Sequence, residues 1–126
     1  MPAVAHAVGP ILRIVLVAAV SCVGCARGTR YTAEPDKAAA VIEAALTAWK
    51  DGKSCDDLRR QSPPIHVADE RWHGGATITS FSIGAGKPFG PSTRFEVTLE
   101  GPAPIGTKTV TYTVSTQPAI SIALGD

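Results

Sequence analysis

The sequence predicts an α+β domain: one long N-terminal helix packed on a four-stranded antiparallel meander sheet. Three observations lead there. Ala38, Val41, Ile42, Ala45, Leu46 and Trp49 recur at i, i+3, i+4 spacing, which places them on one helix face. From residue 77 onward the apolar period changes to two, as in strands with one buried face. Gly- and Pro-rich punctuation at 84–91, 101–106 and 115–118 keeps the connections short, and short connections join antiparallel neighbours.

The helix is expected over 35–51. Thr32 or Glu34 can cap its start, Pro35 suits the first turn, and Asp36 complements the helix dipole. Lys50 and then Gly52 supply the stop signal. Ser54-Cys55-Asp56-Asp57 has the form of a second N-cap, with an acid three residues after the serine. Pro63-Pro64 ends that short helix. Residues 62–75 are expected as an extended connection with room for a brief strand at 65–67.

Four strand segments follow. In 77–83, Ile78 and Phe81 are out of phase, which suggests a bulge. Phe95, Val97 and Leu99 alternate with Arg94, Glu96, Thr98 and Glu100. Val110, Tyr112 and Val114 alternate with threonines, and Ile120, Ile122 and Leu124 with Ala119, Ser121 and Ala123. One apolar face per strand and one apolar helix stripe must cover each other. That order of elements, over roughly 35–124, resembles the cystatin and NTF2-like α+β rolls. The likeness is one of element order and carries no function with it.

The leader has a different grammar. Arg13 precedes the apolar run 14–20, and small residues follow up to Cys25. A positive flank, a short apolar stretch and a small-residue exit are signal-peptide features. The run is shorter than the ~20 residues of a membrane-spanning helix. Val23-Gly24-Cys25 resembles the lipobox of bacterial lipoproteins. The resemblance implies cleavage after a 1–24 signal peptide, lipidation of Cys25, a tether over 25–33 and a single domain over 34–126. Cys22 stands where a lipobox usually has leucine, and a frame modifying Cys22 is also permissible. Several acyl chains would hold the protein stably on a membrane. The resemblance also implies export, and Ala26 favours the outer membrane or periplasmic face.

Composition and motifs exclude more than they assign. Lys plus Arg is 12 and Asp plus Glu is 11, and loss of Arg13 leaves 11 against 11. A near-neutral chain lacks the basic face that neutralises phosphates, so nucleic acid is not an expected partner. Three cysteines suggest neither a disulfide framework nor a metal site. Gly84 to Gly90 departs from a phosphate loop, because Pro88 follows Lys87 and a strand comes next. A hairpin connection is expected there.

His66, Asp69, Glu70 and His73 cluster beside Trp72. The spacing matches no familiar ligand pair, so solvated polar residues are expected, and no metal or other cofactor. Cys55 lies near a helix start, yet Asp56 and Asp57 oppose a thiolate. Tyr112 is the one polar side chain on the predicted inward faces, where it should pack with its hydroxyl at the rim. No catalytic residue is therefore assigned. The expected function is a non-catalytic binding or structural domain, anchored in the cell envelope and contacting another protein or the wall. The alternative is a small-ligand carrier with a pocket between helix and sheet. The expected contact segment is Trp72 with His66 and His73, its indole either exposed for a partner or plugging the sheet.

Overall fold

The computed structural model describes residues 30–125. The 1–24 leader, Cys22 and Cys25 lie outside them. Helix α1 spans Pro35–Lys50 and buries Ala38, Ile42, Ala45, Leu46 and Trp49 of the expected stripe, while its remaining member, Val41, is partly buried. No side chain caps its start. The Glu34 carboxylate instead accepts a hydrogen bond from Thr116 Oγ1 at 2.5 Å, tying the helix entry to the segment after the fifth strand. The helix ends in a Schellman arrangement. Gly52 N–H donates to the Trp49 carbonyl and Lys53 N–H to that of Ala48, with Gly52 at φ 92°, where a side chain would be strained.

Helix α2, Cys55–Arg60, opens on the capping box written in the sequence. Ser54 Oγ accepts from Asp57 N–H at 3.2 Å, and the Asp57 carboxylate accepts from Ser54 N–H at 2.9 Å. Strand β1, Ile65–Ala68, follows the two prolines, and helix α3, Glu70–His73, follows β1. The remaining elements are β2 (Ser80–Ile83), β3 (Lys87–Phe89), β4 (Ser92–Gly101), β5 (Gly106–Ser115) and β6 (Ile120–Gly125). No helix among the described residues is long and apolar enough to cross a membrane.

The domain is α+β, but its sheet is larger than the expected four-stranded antiparallel meander. It has six strands and is mixed, in the order β1-β6-β5-β4-β2, with β3 also on β4. Strand β1 pairs in parallel with β6, Ile65 opposite Ile120 and Val67 opposite Ile122. Four residues hold too few apolar positions to register as a period, so β1 was legible only as a brief extended stretch. Strand β3 was hidden by Pro88, which an edge strand tolerates because one side of its backbone needs no partner.

The expected bulge around Ile78 and Phe81 is absent for a simple reason. The strand begins at Ser80, so Ile78 precedes it and obeys no strand phase. Ile78 is buried all the same, because β4 ends against it. A Cβ on Gly101 would come within 2.5 Å of the Thr77 carbonyl oxygen and 2.9 Å of Ile78 Cα, so only glycine permits that approach.

Register places Phe95 opposite Tyr112, Val97 opposite Val110 and Val114 opposite Ile122. These side chains share the face that meets the α1 stripe and form the core with Leu99 and Ile105. Full burial of each such side chain contributes about 1.5–3 kcal/mol. The face fades at its ends: Val110 is half-buried and Leu124 is 39% exposed. The opposite face is polar, with Thr98 bonded to Thr109 and Ser92 to Ser115.

Candidate functional site

The site grows out of the turn from β1 into α3. Asp69 is the N-cap of α3, its carboxylate accepting from Arg71 N–H at 3.0 Å. Capping leaves most of a carboxylate unsatisfied, yet Asp69 is only 2% exposed. An unpaired charge at that depth would cost several kcal/mol. Three further donors remove the problem. Arg71 Nε reaches Oδ1 at 3.3 Å, Arg71 Nη2 reaches Oδ2 at 3.2 Å, and the Tyr112 hydroxyl reaches Oδ2 at 2.5 Å. The ion pair is half-open, because the Arg71 side chain keeps 19% exposure while Asp69 keeps none.

The protonation states follow from this network. Burial pushes the Asp69 carboxyl up, but the bonds from Arg71 and Tyr112 outweigh it and hold the group below its ordinary value. Burial and the neighbouring Asp69 charge push the Tyr112 phenol far up, so it is a donor at any physiological pH. Cys55 lies within reach of the same charge. Burial, then Asp69 and Asp56, push its thiol up to about 11, so it is no thiolate near neutrality.

Beside this network lies an open groove of about 910 Å³, lined by Asp69, Glu70, Arg71, His73, Gly74 and Leu124. Its walls combine an exposed leucine with the outer edge of a buried ion pair. His73 is exposed, and its Nε2 sits 2.8 Å from the Val67 carbonyl oxygen, fixing the ring against β1.

No family model, curated protein or solved structure matches the chain.

Several expectations about these residues are corrected. Asp69 is a buried charge and not a solvated one. Residues 62–75 are not all extended, since α3 and its cap occupy their second half. Tyr112 is 1% exposed and turns its hydroxyl inward, because the partner it needs is inside the core. Of the two readings of Trp72, the buried one holds: it is 5% exposed and is no surface anchor. Its ring stacks on Trp49 with centroids 4.7 Å apart and planes 5° apart. Its Nε1–H donates to the Lys53 carbonyl at 3.0 Å, as that of Trp49 does to Ala76 at 2.7 Å.

His66 is exposed on β1, opposite Ser121 and not on the groove. His73 alone of the three expected contact residues lines it. Among the described residues, no group of three His, Cys, Asp or Glu side chains could hold a metal ion.

Sequence reasoning missed Asp69, Arg71 and Tyr112 as a unit. A local signal was present. Asp69 heads a short segment that ends in Gly74-Gly75, the cap-and-stop pattern of a helix. An inward tyrosine also requires a hydrogen-bond partner. What no local pattern gives is that the two requirements answer each other.

Proposed function

We propose that the chain is an exported envelope lipoprotein, lipidated at Cys25, whose domain is a non-catalytic binding module that uses the groove beside α3. One observation carries the non-catalytic part. The buried acid and phenol that could do chemistry are bonded to each other and to Arg71, with all four contacts internal. A general base needs a free lone pair within reach of its substrate. Asp69 offers none, and the protonated Cys55 offers no nucleophile. The groove's apolar and charged lining suits a protein segment at the membrane surface or a wall component.

The likeness to cystatin or NTF2-like rolls belongs to the same proposal. A helix laid across an apolar sheet face supports it, whereas the parallel β1–β6 pair departs from a simple meander. The carrier alternative has less support. Trp49, Phe95 and Tyr112, which would have to line a cavity between helix and sheet, are 1%, 2% and 1% exposed and pack the space.

Two measurements on the full chain in its native envelope test the proposal. Intact-mass analysis of the membrane fraction should give a chain beginning at Cys25 with acyl groups attached, and Cys25→Ser should release the protein. A photo-crosslinker at Leu124 should give one discrete adduct, and a crosslinker at Lys108, which does not line the groove, none. A soluble wild-type chain that keeps residues 1–24, or equal crosslinking at both positions, would overturn it.

A further inference from the structure

A second concavity lies on the polar face of the sheet, where β3, β4 and β5 adjoin. It measures about 370 Å³ and is lined by Lys87, Arg94, Phe95, Glu96 and Thr111 beside Gly84 and Ala85. Its charges are arranged unusually. Lys87 stands directly opposite Arg94 in the β3–β4 register. Like charges at facing positions repel and destabilise a strand pair. Among the described residues neither cation has an ion pair, since the salt bridges there involve Arg59, Arg60 and Arg71.

Arg94 is also held in place. Its guanidinium carbon sits 3.5 Å from the centroid of the Phe89 ring, and its Nε donates to Thr113 Oγ1 at 3.3 Å. Stacking on an aromatic face and a bond at Nε fix the plane of the fork, and among the described residues neither terminal nitrogen makes a hydrogen bond. An arginine presented in that way binds a planar carboxylate through two parallel hydrogen bonds. Glu96 stands two residues along the same strand and the same face, about 7 Å away at Cα. It disfavours a multiply charged anion and favours a ligand with a cationic donor a few atoms from its carboxylate.

We propose that the Lys87–Arg94–Glu96 pocket binds a small α-amino acid, its carboxylate between Lys87 and the Arg94 fork and its ammonium on Glu96. The site lies on the opposite sheet face from the core and shares no residue with the groove beside α3, so it stands or falls independently of the proposed function.

The test is a titration of the full chain in detergent, observing by two-dimensional NMR the backbone amide resonances of the residues around the pocket, among them Ala85, Lys87 and Thr111, which every variant retains. Glycine should saturate with a Kd on the order of 1 mM, in keeping with so few ligand atoms. Acetate, lacking the ammonium, should bind several-fold more weakly, and inorganic phosphate more weakly still. Arg94→Lys keeps the charge but loses the fork, and should weaken glycine about tenfold. Glu96→Gln should bring glycine down to the level of acetate. Lys87 and Glu96 are exposed and Arg94 is half-buried, and an unchanged melting temperature verifies the fold of each variant. Non-saturating shifts, phosphate binding tighter than glycine, or a Glu96→Gln protein that still prefers glycine would overturn the assignment.

Discussion

The Tyr112 hydroxyl donates to the Asp69 carboxylate, joining the middle of β5 to the cap of α3 across 43 positions of sequence. With the contact of His73 to the Val67 carbonyl, this bond fixes a helix of four residues to the sheet. Tyr112→Phe keeps the ring and removes only the donor. It should lower stability by about 1–3 kcal/mol, the range for a charged group deprived of a partner. Urea unfolding should show a lower midpoint at constant slope. An unchanged midpoint would mean that Arg71 alone satisfies the carboxylate.

Asp69 also sets the acid limb of stability. Its folded value is held below the ordinary carboxyl value, so the unfolded chain takes up a proton first as pH falls. The contribution is therefore complete above the unfolded value of about 3.9 and is lost as pH falls through the folded value. Thermal unfolding from pH 7 downward should show a fall near and below pH 4 that Asp69→Asn largely removes, on a lower baseline. Cys55 works in the opposite direction. Its thiol is raised to about 11 in the fold, so stability should decline once pH exceeds the unfolded thiol value of about 8.5. Cys55→Ala should flatten that alkaline limb. Limbs that persist unaltered in the two variants would assign them to other groups.

Trp72 offers a sharp test of core against contact. Because it is buried and stacked on Trp49, Trp72→Ala should cost about 3–5 kcal/mol. For a domain of this size, that corresponds to a fall in melting temperature of well over ten degrees, at about 4–8 °C per kcal/mol. Trp72→Phe retains most of the stack and loses the bond to the Lys53 carbonyl, so its fall should be clearly smaller. Near-wild-type melting of Trp72→Ala would put the indole outside the core.

The legible parts of this molecule are those in which a single element carries its own signal. The α1 stripe, the Ser54–Asp57 capping box and the alternation of Phe95, Val97 and Leu99 each lie within one stretch of chain, and each is found where the spacing places it. Strands β1 and β3 escaped because their identity depends on a neighbour. Ile65 and Val67 become a strand by pairing with β6, and Lys87–Phe89 by pairing with β4. The Asp69 network escaped for the same reason at the level of side chains. Asp69 and Arg71 read as solvated polar residues until Tyr112 is brought over them by the fold. Burial of a charge is a tertiary fact, and composition does not encode it locally.

The parallel pairing of β1 with β6 also governs the order in which the domain can assemble. Strands β4 and β5 are joined by a short turn and can find each other early, as neighbours in sequence do. Ile65 has no such opportunity, since its partner Ile120 lies on the far side of the whole β2–β5 segment. Closing that distance carries the entropy of a long loop. Until β6 is in place, β1 has no strand to join and Asp69 has no firm seat beside Tyr112. The buried charge is thus sealed late in folding, and a nascent chain halted before Ile120 would present the hairpin of β4 and β5 with its apolar face only partly covered.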